Sequence, residues 1–151
     1  MTERTVSVST GTRKHVEDIA VGSHALQADE PLAVGGGDTA PNPYELLLGA
    51  LGACTAITVQ MFAERHRWPL HKVHVELSHS KAHAADCANC AAPSSRLDRI
   101  ELAIEFEGDL SEEQRRKLMD VAEHCPLHRT LAAGVEISPA EQPSRGRRSS
   151  A

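Results

Sequence analysis

A chain of 151 residues is long enough for one domain with a genuine core and too short for two substantial ones. Aromatic residues make up only 3% of it, so the core falls to Ala, Leu, Val and Ile, and stacking on bases or sugars is disfavoured. The 16 Lys and Arg against 21 Asp and Glu give a net charge of −5, which repels polyanions and argues against nucleic acid or anionic lipid as a partner.

The first residues, Met1 to Thr5, lack a basic region followed by an apolar one, and no apolar run reads as approaching the ~20 residues that span a bilayer. The expectation is a cytoplasmic protein without a membrane partner. In that reducing compartment four unevenly placed cysteines suit redox, catalytic or metal roles better than a disulfide framework.

Residues 4–9 and 14–21 are short, partly β-branched and separated by Gly11, which predicts a hairpin with a third strand over 23–28. Gly35-Gly36-Gly37-Asp38 then breaks regular structure. Asn42 is placed as a helix N-cap and Pro43 as a first-turn residue, predicting a helix over about 43–66. That helix is apolar around nearly its whole circumference until Glu64 and Arg65, so it needs cover on every side. One sheet covers one face; the other requires a second helix or another subunit, and a homodimer is expected. Gly49 and Gly52 weaken the helix and point to close approach by a neighbouring element.

After Trp68-Pro69, residues 72–78 alternate with Val73, Val75 and Leu77 on one face. Residues 99–107 do the same through Ile100, Leu102, Ile104 and Phe106, predicting two half-buried strands. The polar connection from His79 to about Arg96 is long for a hairpin. Ser111 to Gln114 has capping-box spacing ahead of a helix whose apolar stripe runs Leu118, Val121, Ala122, Cys125. Pro126 closes that helix and opens a short one, and residues 134–138 are expected to return as a last strand. The domain is assigned to residues 1–138, with 139–151 a disordered Pro-, Ser- and Arg-containing tail.

Cys54 lies mid-helix among small residues that leave room beside its sulfur, although a buried free cysteine also serves simply as a small hydrophobe. Cys125 is better placed to react. A helix opened by Pro126 puts free N–H groups and a positive dipole end beside the sulfur, with His128 and Arg129 one turn away, an arrangement that favours a thiolate. Its plainer reading is completion of an apolar stripe. Packing the two helices together would bring both sulfurs near one another.

The run Pro41-Asn42-Pro43-Tyr44-Glu45-Leu46-Leu47-Leu48-Gly49-Ala50-Leu51-Gly52-Ala53-Cys54 and, 71 positions after that cysteine, Cys125-Pro126-Leu127-His128-Arg129-Thr130-Leu131 resemble the paired signatures of the OsmC/Ohr family. The resemblance spans roughly residues 4–138. It implies an α+β fold, with an antiparallel sheet packed on a long central helix and a second helix, in an intertwined homodimer with two sites at the subunit interface. It further implies thiol-dependent reduction of organic hydroperoxides. Cys54 matches the position of the attacking thiolate and Cys125 that of the thiol resolving it as a disulfide. The resemblance also implies that no cofactor is required, that the substrate is a small apolar peroxide, and that an unidentified dithiol resets the pair. Efficient members carry a glutamate ten residues before the first cysteine, where this chain has Tyr44, with Glu45 adjacent. They also carry an arginine in the N-terminal sheet, for which Arg13 is the nearest candidate. His128 and Arg129 are assigned to stabilising a thiolate. The chain most resembles the OsmC-like branch of predicted redox proteins.

A second constellation, His79, His83, Cys87 and Cys90, falls in the long connection. Two imidazoles and two thiols suit Zn²⁺, a CxxC suits dithiol chemistry, and an idle loop is the third reading. The rival to a peroxide-reducing enzyme is thus a non-catalytic dimeric protein that binds an apolar ligand, or a metal-binding protein using that loop.

Overall fold

A computed structural model describes residues 5–83 and 96–138. The chain opens with an antiparallel meander, β1 (Val6–Thr10), β2 (Glu17–Val21) and β3 (His24–Ala28), as the sequence predicts. Val8 faces Ile19 and Ile19 faces Leu26 across the register, yet Val8 and Leu26 each stay more than half exposed.

Asp29 organises the loop after β3. Its buried carboxylate accepts hydrogen bonds from the Thr39 hydroxyl at 2.7 Å, from the Thr39 N–H at 3.0 Å, and from the N–H groups of Glu30 and Gly37. These donors, the Thr39 hydroxyl foremost, hold the carboxyl well below its ordinary pKa. The glycine-rich loop is thereby folded back onto the end of β3, and the chain is delivered to Asn42 in an extended conformation.

Helix α1 (Pro43–His66) begins with a complete capping box. The Glu45 N–H donates to Asn42 Oδ1 at 3.0 Å, and the Asn42 N–H donates to Glu45 Oε2 at 2.7 Å. At the other end Arg67 takes a left-handed conformation (φ 55°) and Trp68 N–H bonds back to the Ala63 carbonyl, closing the helix. Leu51, Gly52, Thr55, Val59 and Ala63 form its buried stripe. By length and composition α1 would qualify to cross a bilayer, which corrects the expectation that no apolar run is long enough.

The stripe packs on a long hairpin of β4 (Leu70–His83) and β5 (Arg96–Gly108) and on helix α2 (Glu112–Glu123). Val73, Val75 and Leu77 on β4, opposite Phe106, Ile104 and Leu102 on β5, are half-buried, and their alternate neighbours are exposed. A Cβ at Gly52 would lie 2.8 Å from Leu77 Cδ1, so the absent side chain is what admits β4 this close. Val59, Ala63, Leu110, Leu118 and Ala122 make the central cluster. Arg115 ties α2 to the strand end, donating to the carbonyls of Phe106 at 2.8 Å and Gly108 at 3.1 Å.

Helix α3 (Pro126–Ala133) comes after α2 with a two-residue break. Two expectations change here and in the hairpin. The strands run further than the alternation predicted, so His79 and His83 lie in β4 and the connection narrows to 84–95, outside the described residues. Residues 134–138 form no strand: Val135 and Ile137 are 58% and 90% exposed, and among the described residues no strand lies alongside to accept their backbone hydrogen bonds. The tail assigned to 139–151 lies outside the described residues.

Two variants test these devices. The Asp29 carboxyl is more acidic folded than unfolded, so its stabilisation is complete above about pH 4 and declines as pH falls toward the folded value. Asp29→Asn therefore melts at a lower temperature than wild type at pH 7, and the gap narrows when the melts are repeated at pH 3. Glu45→Ala removes half a capping box and lowers stability in urea titrations by about 1 kcal/mol.

Candidate functional site

Cys125 occupies the N-cap of α3, with the extended backbone (φ −61°, ψ 149°) that an N-cap requires and Pro126 at the first helical position. Its sulfur accepts from the His128 N–H at 3.4 Å, so the predicted pairing of a sulfur with a helix start is present. The residue is fully buried. Directly against it stands Thr55 of α1, whose Oγ1 is 3.4 Å from Cys125 Sγ.

Cys54 immediately precedes Thr55, and a one-residue step turns its side chain about 100° around the helix axis from the direction of Cys125. Cys54 is half-buried, Cys125 is sealed, and both are free thiols. Packing of α1 against α3 thus places two cysteines, remote in the chain, within one neighbourhood, with the threonine between them in direct contact.

The remaining predicted residues divide. Arg129 is exposed and contributes its backbone N–H to the Cys125 carbonyl at 3.1 Å as the first helical bond of α3. His128 lies half-buried, and its Nδ1 is buried without a hydrogen-bond partner among the described residues. It lines a cavity of about 350 Å³ walled by Leu102, Ile104, Met119 and Ala122 and edged by Glu123 and His124. Arg13 lies in the β1–β2 turn, where its carbonyl accepts from Val16 N–H, and among the described residues no hydrogen bond joins it to either thiol. Glu45 is inside a regular helix, its carboxylate engaged by the cap. Nine residues from Cys54, it lies on the opposite side of α1 and about 13 Å away along the axis.

Of the proposed metal or dithiol set, Cys87 and Cys90 lie outside the described residues, and His83 is described in backbone only. His79 is placed: it faces inward from β4, its ring stacks on Tyr44 at 4.5 Å and 13°, and its Nε2 bonds Asp98 Oδ1 at 2.8 Å. Among the described residues no group of three or more His, Cys, Asp or Glu is set to hold a metal ion.

The sequence patterns did not single out Thr55. A hydroxyl in an apolar helix is ordinarily absorbed by the carbonyl one turn back, as Thr58 Oγ1 is by Cys54 O at 2.7 Å. The signal available was its period: Thr55 is the one polar member of the stripe 51, 52, 55, 59, 63.

The fold has known counterparts. An OsmC-like protein from Mycoplasma pneumoniae superposes with a TM-score of 0.68 at 20% identity, covering 86% of this chain and 87% of that one. An organic hydroperoxide resistance protein OsmC from Legionella pneumophila gives 0.61 at 18% identity, with 84% and 87% covered. The organic hydroperoxide resistance protein OhrB of Bacillus subtilis gives 0.57 at 20% identity, with 84% and 88% covered. No curated protein sequence matches the chain. The model of the OsmC family, described as OsmC-like protein, matches residues 35–140, which include α1, the hairpin and both cysteines of the site. Together with the α+β architecture, that match places the chain in the OsmC-like protein family.

Proposed function

We propose that the protein is a thiol-dependent redox protein that reduces organic hydroperoxides through Cys54 and Cys125. The observation that supports this most is the contact of Thr55 with the Cys125 sulfur, because it makes Cys54 the immediate sequence neighbour of a residue touching the second thiol. The names of the Legionella and Bacillus relatives, both organic hydroperoxide resistance proteins, point the same way.

The division of exposure suits two different tasks. Cys54, half-buried, is the one a peroxide can reach, and Cys125, sealed and bonded to the start of α3, is protected from direct oxidation. The Cys54 thiolate attacks the outer peroxide oxygen, the O–O bond breaks, and the alkoxide leaves as the alcohol after taking a proton. Cys54 is then a sulfenic acid. The Cys125 sulfur attacks it, the S–O bond breaks, hydroxide leaves as water, and a disulfide remains for an external dithiol to reduce.

The working form is a homodimer. Gly49, Ala50, Ala53, Ile57 and Met61 make an exposed apolar stripe along α1, with Ile57 and Met61 both more than half exposed. A Cβ at Gly49 would meet nothing within 4 Å, so its smallness serves no contact inside the chain and suits close approach by a second α1.

Peroxide consumption coupled to a dithiol reductant checks the chemistry. Cys54→Ser loses essentially all activity. Cys125→Ser completes one oxidation and then turns over at least tenfold more slowly, with sulfenic acid trapped on Cys54. Full activity in Cys54→Ser rules the mechanism out. For assembly, sedimentation velocity gives a dimer for wild type and a shift to monomer for Ile57→Asp.

A further inference from the structure

We propose that Thr55 is a positioning residue for Cys125: its hydroxyl, with the His128 N–H, forms a cradle that holds the buried sulfur beside α1 and offers it two donors whenever it is ionised.

Both partners are fully buried, and a hydroxyl in such a place is costly unless it is bonded. The other buried positions of the α1 stripe are Leu51, Gly52, Val59 and Ala63, so packing alone would be served by an apolar side chain. Thr58 returns its hydroxyl to the helix, whereas the hydrogen-bonding partner of Thr55 is the Cys125 sulfur, 70 positions away.

A hydroxyl suits this sulfur because it can reverse its role. Toward a thiol it accepts from S–H; toward a thiolate its own O–H turns to donate. The His128 N–H can only donate and is fixed by the first turn of α3. An ionised Cys125 therefore meets two donors, from two different helices, without any rearrangement of the backbone. Among the described residues the hydrogen-bonding neighbours of the sulfur are Thr55 from α1 and the His128 backbone from α3, and the nearest titratable side chains in sequence are those of His124 and His128.

The consequence deepens the thiol-redox reading and rests on it: to close a bond with Cys54, Cys125 Sγ exchanges its contact with Thr55 for one with the residue next to it. The cradle itself does not rest on that reading.

The test uses full-length protein in which Cys125 is the sole thiol, through Cys54→Ser, Cys87→Ser and Cys90→Ser. Ultraviolet thiolate absorbance is followed against pH and corrected with the matching Cys125→Ser protein. Thr55→Val and Thr55→Ala each move the rise in absorbance upward by about one pH unit, and Thr55→Ser restores it. Superimposed profiles overturn the proposal. So does a shift that Thr55→Ser fails to reverse, since that reports packing and not the hydroxyl. No peroxide is present, so absence of hydroperoxide turnover in the wild type leaves this result standing, and the reverse also holds.

Discussion

The close packing of one stripe of α1 onto β4 and α2 is the constraint on which the rest of the molecule depends. Full burial of Val59 and Leu118 contributes on the order of 1.5–3 kcal/mol for each side chain, and the glycine at 52 lets the hairpin approach closely enough for this to happen. That approach fixes the rotation of α1 about its axis. Once the rotation is fixed, Thr55 must point inward, where α2 ends and α3 begins, and Cys54 must stand one step aside from it. The geometry of the site is therefore set by the orientation of a helix in the core.

The same helix is incompletely served by its own chain. The buried stripe occupies one side, while the line through Ala53, Ile57 and Met61 faces outward. The first sheet has a comparable imbalance, with Val6, Val8 and Leu26 each more than half exposed. Residues 134–138 add two more exposed apolar side chains on a segment that has no strand beside it among the described residues. Three separate elements thus leave apolar surface or backbone unsatisfied in a single copy, which is the pattern expected where subunits complete one another.

Elements with a local cause were legible in the sequence. Asn42 and Pro43 mark the start of α1, Ser111 and Gln114 that of α2, and Pro126 that of α3; each acts within one helical turn, and each is where the residues placed it. The alternation of Val73, Val75 and Leu77 likewise identified the inward face of β4. Glu45 has a local role as well: its spacing from Asn42 is that of a capping box, and the structure engages its carboxylate in that cap. What stayed hidden is non-local. Thr55 gains meaning only through a residue 70 positions away, Asp29 through a loop that folds back ten positions later, and 134–138 requires a neighbouring strand that no sequence pattern supplies.

The central claim is that Cys54 and Cys125 act on one another. It is tested most directly by adding one equivalent of an organic hydroperoxide to the reduced protein, blocking remaining thiols, and mapping disulfide-linked peptides by mass spectrometry. The expected result is a single dominant cross-link joining the Cys54 peptide to the Cys125 peptide within one chain. Oxidation confined to Cys87 and Cys90, with both Cys54 and Cys125 recovered as blocked free thiols, would contradict it.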